Sequence, residues 1–133
     1  MFTAFFPFML LFSLFQNSPA SAPSAARPQI RSIQLEPGDQ SYFLLLKGPP
    51  ETGTMRSGLV TLAPGKAVGL HNTERNEEMI IPLQGQGELR FAHHPPILIR
   101  PGLVTYAPAH TEHDVVNTGT AALRYIFIVA KAE

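Results

Sequence analysis

Two short stretches of the chain hold residues that could do chemistry. The first runs from Gly65 to Gly85 and carries His71, Thr73 and Glu78. Imidazole nitrogen and carboxylate oxygen bind first-row metals, and both groups also move protons. On an extended chain His71 and Thr73 are two residues apart and so point to one side. The polar run 74–77 then turns the chain, and Glu78 opens an apolar strand from which it can face back toward His71. The second stretch runs from Gly102 to Asn117 and places His113, Val115 and Asn117 on one strand face. His110 lies in the loop entering that strand, a candidate for a place behind the ligands or at a pocket mouth. Other polar residues read more plainly. Glu77 points away from Glu78 and reads as solvated; His93 and His94 precede Pro95-Pro96 in an expected exposed loop; Asn117 reads as a turn residue before Thr118-Gly119. A single histidine near a turn is more often a surface or capping group than a ligand, so the spacing carries the argument.

These residues need a frame. Thirteen prolines and ten glycines divide the chain into short apolar runs. Strands are expected at Ile30–Leu35, Tyr42–Lys47, Gly58–Leu62, Ala67–His71, Glu78–Leu83, Glu88–Ala92, Ile97–Arg100, Leu103–Ala107, His113–Val116 and Ala122–Val129. Between them lie turn formers such as Pro37-Gly38, Pro64-Gly65, Gly85-Gln86-Gly87, Pro95-Pro96 and Pro101-Gly102. No stretch keeps a helical period. Short strands at regular spacing predict an all-β sandwich or barrel.

With the strands in order, the two stretches resemble the paired motifs of the cupin superfamily. The first motif is a glycine, five residues, His-x-His, three or four residues, a glutamate, six residues and a glycine. Gly65, His71, Thr73, Glu78 and Gly85 reproduce it, with Thr73 in place of the second histidine. The second motif is a glycine, five residues, Pro-x-Gly, two residues, a histidine, three residues and an asparagine. Gly102, Pro108, His110, His113 and Asn117 reproduce it, with His110 in place of a glycine. The resemblance implies a single small cupin barrel (a double-stranded β-helix or jelly roll) over residues 27–133. It implies one divalent transition metal held by His71, Glu78 and His113, with Fe, Mn, Ni and Zn not distinguished. Thr73 is a poor ligand, so three outcomes are open. The two histidines and the carboxylate hold the metal alone, as in the facial triads of non-haem iron enzymes. Asn76 or Glu74 swings in to supply an oxygen. Or the metal is lost and the barrel binds an organic ligand.

Composition narrows the rest. Ten basic and ten acidic residues give a formal net charge of zero, which offers no drive toward nucleic acid. The absence of cysteine excludes disulfides, thiolate sites and cysteine nucleophiles. No dinucleotide loop, G-x-S-x-G elbow or phosphate-binding Lys-Ser/Thr loop is present. Phe2–Phe15 is nearly all apolar yet too short to span a bilayer, and small residues follow it. Residues 1–26 therefore read as a signal peptide cleaved near Ala26, although no Lys or Arg precedes the apolar run. The expected protein is exported, to a periplasm or the extracellular space, with no stable membrane span; a homodimer is left open.

A metal on three protein groups keeps positions for a ligand. Val115, Ile80, Leu83 and Tyr106 are the expected cavity wall. The expected function is a metal-dependent enzyme, a dioxygenase or an isomerase/decarboxylase, acting on a small oxygen-rich molecule. The alternative is a non-catalytic exported module that binds a sugar or similar small ligand, and a third is a storage-like role. No catalytic residue beyond the metal ligands is assigned.

Overall fold

The structure is a computed structural model that describes residues 27–132; the expected signal segment, residues 1–26, lies outside the described residues. Nine strands form two antiparallel sheets: β1 Tyr42–Lys47, β2 Arg56–Leu62, β3 His71–Asn72, β4 Asn76–Gln84, β5 Gly87–Phe91, β6 His94–Ile99, β7 Thr105–Ala107, β8 Glu112–Val116 and β9 Leu123–Lys131. One sheet has the order β1-β2-β9-β4-β7 and the other β3-β8-β5-β6. No helix occurs among the described residues, so none there is long and apolar enough to cross a membrane.

Inward-facing residues of both sheets build the core, with alternation plainest on β4, β8 and β9. Leu123, Tyr125 and Phe127 of β9 face inward and pair with Leu62, Val60 and Gly58 of β2. Ile80 of β4 joins them, and the opposite sheet supplies Leu89, Ile99 and Val115. Each fully buried aliphatic side chain of this kind stabilises the fold by roughly 1.5–3 kcal/mol.

Several expectations need correction. Ile30–Leu35 is not a strand; Ile30 is fully exposed and only Ile33 is half-buried. Ala67–His71 is mostly loop: Ala67 makes an isolated bridge to Val116, and Gly69 then takes φ 103, which breaks strand geometry before β3. Leu103 and Val104 lie outside any strand, after the Pro101-Gly102 turn that Leu103 N–H closes onto the Arg100 carbonyl, so β7 is shorter than expected. Pro95 and Pro96 do not break the chain but lie inside β6, and His94 begins that strand rather than sitting in a loop. β6 is the edge of its sheet, and its pairing with β5 shifts register between Leu89 and Phe91, so that neither Pro95 nor Pro96 takes a place in the ladder. Of the expected wall, Ile80 and Val115 are core, whereas Leu83 and Tyr106 point outward and are 41% and 56% exposed.

Candidate metal centre

The site forms where the two sheets face each other. His71 on β3 and His113 on β8 are Cα partners in one sheet, with ring centroids 4.3 Å apart. Glu78 comes from β4 in the other sheet, where Glu78 and Ile80 share the inward side. His71 Nε2 lies 3.9 Å and His113 Nε2 3.2 Å from the same oxygen, Glu78 Oε2. One ligand atom from each residue falls within 4.8 Å of the others. The structure thus brings His71, Glu78 and His113 together from three strands.

Hydrogen bonds behind the rings fix their chemistry. His71 Nδ1 is 2.8 Å from the Gly69 carbonyl, and His113 Nδ1 is 3.3 Å from the Thr111 carbonyl. A carbonyl only accepts, so each Nδ1 carries the hydrogen and each neutral ring presents an Nε2 lone pair to the site. Backbone carbonyls behind metal-bound histidines act in this way. His113 is fully buried, and its Nε2 has no hydrogen-bond partner of acceptable geometry despite its closeness to Glu78. Two lone pairs and a carboxylate oxygen converging at this distance repel one another unless something positive lies among them. A proton serves in part: contact with Glu78 raises the pKa of His71 above its ordinary value, against the opposing effect of burial. Burial pushes Glu78 up, but His113 and His71 together outweigh it and hold the carboxyl at about 2. A divalent cation serves fully, and the nitrogen and oxygen donors suit a transition metal.

Thr73 does not reach for that cation. It is buried, its Oγ1 donates to the Pro108 carbonyl at 2.8 Å, and the same oxygen accepts from Thr111 N–H at 2.8 Å. Its backbone N–H donates to the Thr111 carbonyl at 3.1 Å. Thr73 clamps the loop after β3 to the loop before β8, and so sets the spacing of His71 and His113. Glu74, at φ 53, receives the His110 N–H on its carbonyl at 2.7 Å and does not line the cavity. Asn76 does line it, with its NH2 bonded to the Thr73 carbonyl at 3.1 Å. His110 is not among the converging ligand atoms. It holds φ 58 at the position where the family's motif has glycine, which is the conformation glycine adopts most readily. It lines a separate outer pocket with His93, His94 and Tyr106. Glu77 accepts a hydrogen bond from Tyr106 Oη at 2.9 Å on the outer face. Asn117 is more than a turn residue: it is buried, and its NH2 donates to the Leu62 and Ala121 carbonyls at 2.8 and 2.9 Å.

His71 and Glu78 line a cavity of about 280 Å³ whose walls include Val60, Val68, Tyr125, Phe127 and Val129, while the fully buried His113 stands behind them, in reach of Glu78 but outside the lining. Tyr42 and Arg56 stand at its rim. Sequence reasoning missed both. Their available signal was strand parity: Arg56 is two residues before Gly58 and four before Val60, on the inward side of β2.

Comparison with known proteins settles the family. Residues 58–129 match the family model described as Cupin domain. The chain belongs to the cupin family. The fold agrees with that of a cupin 2 conserved barrel domain protein from Salinispora arenicola (TM-score 0.62, 21% identity, 77% of this chain and 92% of that one). It is also similar to an uncharacterised double-stranded β-helix protein from Klebsiella pneumoniae (TM-score 0.65, 15% identity, 79% and 93% covered). A third similar structure is a predicted oxalate decarboxylase from Thermotoga maritima (TM-score 0.54, 19% identity, 70% and 94% covered). No curated protein matches the chain. The cupin's two histidines and glutamate make a candidate metal site, and their chemistry does not select one metal.

Proposed function

We propose that this cupin is a metal-dependent enzyme acting on a small oxygen-rich molecule, with His71, Glu78 and His113 as the metal ligands. The observation that carries the proposal is the convergence of two histidine Nε2 atoms and a carboxylate oxygen beside a walled cavity that His71 and Glu78 line. A divalent transition metal bound there supplies Lewis acidity to an oxygen of the ligand. The chain's own residues do the rest. The Gly69 and Thr111 carbonyls keep both rings in the tautomer that exposes Nε2. In the metal-free site protonated histidines hold the Glu78 carboxyl ionised down to about 2, and with neutral rings a bound cation would take over that role. The apolar wall excludes water from the ligand's body. That a similar fold occurs in a predicted oxalate decarboxylase supports an enzyme of this general kind.

Elemental mass spectrometry of protein purified with metals available tests the assignment. About one divalent transition-metal ion per chain is expected, and His71→Ala, Glu78→Ala and His113→Ala should each abolish it. His93→Ala and His94→Ala should leave it unchanged. A metal-free wild type overturns the metal assignment. Stoichiometric metal with ligand binding but no turnover across oxidase, decarboxylase and isomerase assays makes the protein a binding module instead.

A further inference from the structure

The rim of the cavity holds a positive charge that the metal ligands do not use. Arg56 begins β2 and Tyr42 begins β1. Tyr42 pairs with the inward-facing Val60 and stacks on Phe127, with centroids 5.5 Å apart, so both rim residues belong to the interior side of the sheet. Arg56 Nη2 donates to Tyr42 Oη at 2.8 Å. Because the phenol oxygen accepts there, its own O–H is left to donate elsewhere. Among the described residues no carboxylate pairs with Arg56; the ion pairs formed by arginines involve Arg31 and Arg90. A guanidinium carries five N–H donors in a rigid fork that matches a carboxylate, and one contact to a phenol leaves most of them unused. An unpaired fork and a phenol hydroxyl thus stand side by side where the cavity opens.

The charges point the same way. A divalent metal on the triad brings two positive charges, Glu78 one negative and Arg56 one positive. The occupied cavity is a net cation, walled elsewhere by Val60, Phe127 and Val129 and by the neutral polar residues Asn72, Thr73 and Asn76. A neutral sugar offers nothing to offset that charge, whereas an organic anion does. The volume of about 280 Å³ admits only a small molecule, roughly nine water-sized groups at ~30 Å³ each.

We infer that the ligand of this cavity is a small carboxylic acid bound as its anion, with the carboxylate received by Arg56 and Tyr42 and the body set among the apolar wall residues. The inference rests on the triad holding a metal, since that charge makes the cavity cationic. It names a substrate class and gives Arg56 the role of selecting it.

The test uses the full protein loaded with Co²⁺, whose visible absorption reports changes around the metal. Propanoate, malonate and benzoate are titrated in, each beside its neutral amide. At least one carboxylate should shift the spectrum saturably, with its amide about tenfold weaker or more, as expected for hydrogen bonds to a charged partner. Arg56→Gln should weaken that carboxylate by a similar factor with cobalt content unchanged. Arg56→Lys, which keeps the charge and loses the fork, should recover part of the affinity. Equal affinity of Arg56→Gln and wild type, equal affinity of acid and amide, or no response to any of the three acids overturns the inference. Cobalt content of the same samples separates the two levels. Wild type without cobalt overturns the metal assignment and this inference with it. Wild type with cobalt but no carboxylate preference overturns this inference alone.

Discussion

Thr73 stands where the family's first motif has a second histidine, and its hydroxyl is engaged on both sides by backbone, the Pro108 carbonyl and the Thr111 N–H. Thr73→Val keeps the shape and removes both bonds. It leaves a buried donor and acceptor unpaired, a loss of about 1–3 kcal/mol for each group so stranded. Thr73→Ser keeps the hydroxyl and should lose less than half as much. Chemical denaturation measures both, and metal titration of the same variants should show weaker binding in Thr73→Val than in Thr73→Ser, because the clamp spaces His71 and His113. Equal stability of the two variants would refute the clamp. Thr73→His would add an imidazole but lose the clamp, so any gain in coordination comes with a less stable fold. At this scale the sequence is informative about His71, Glu78 and His113, whose spacing against glycines marks them. For Arg56 and Tyr42 it offers only strand parity, because neither lies in a motif. Their nearness depends on how β1 pairs with β2, and register is a property of the folded sheet.

Strands in the middle of the sheets are legible as apolar runs, and so is the edge strand β1, observed with its expected bounds Tyr42–Lys47, while the edges β3, β6 and β7 and the connections are less so. β9 alternates cleanly and sits between β2 and β4, so its pattern and its place agree. β6 carries two prolines that read as a break, and its position at a sheet edge together with the register shift opposite them makes them acceptable. β3 has only His71 and Asn72, too short for any periodicity to show. Its place is fixed instead by loop bonds such as Gly69 N–H to Asp114 Oδ1 at 2.9 Å and by the Thr73 clamp. The turn from β4 into β5 depends on Gly85, which has φ 75 and whose added Cβ would lie 2.4 Å from the Ala122 carbonyl oxygen. Both the conformation and the space forbid a side chain. Gly85→Ala should therefore cost more than about 1 kcal/mol, read as a lower denaturation midpoint. His110→Gly is the opposite case. It places glycine at φ 58 and should leave stability unchanged or raised, since a left-handed residue with a Cβ bears roughly 1–2 kcal/mol of strain. A strongly destabilised His110→Gly variant would show that the imidazole itself holds the loop.

For the whole molecule, residues 1–26 enter as a proposal that the mature protein begins near Arg27. Intact mass of the exported protein from a secreting host should lack the leader, and a full-length mass in that fraction rejects it. The described barrel makes a further prediction about pH, because its most strongly coupled charges sit in the triad between the sheets. Glu78 has a folded pKa of about 2 against an ordinary 4.5, so the folded state binds fewer protons there than the unfolded chain. Its contribution to stability is present above about pH 4.5 and is lost as pH falls toward 2. His71 has a folded pKa above the ordinary 6.5, so its contribution is full below that value and is lost as pH rises through its folded pKa. Metal-free protein should accordingly be most stable between about pH 4.5 and 6.5. Metal reverses the upper limit. It binds the neutral ring, so the proton on His71 competes with it, and affinity should rise with pH through a midpoint above 6.5. Stabilisation by a ligand of the folded state grows as RT ln(1 + [L]/Kd). The gain in Tm on adding excess Zn²⁺ should therefore be small below pH 6.5 and increase above it, just where the metal-free protein weakens. Thermal melts across this range, with and without Zn²⁺, measure both curves. A gain that is constant with pH, or largest on the acid side, means that the ion is not exchanging with the proton of His71.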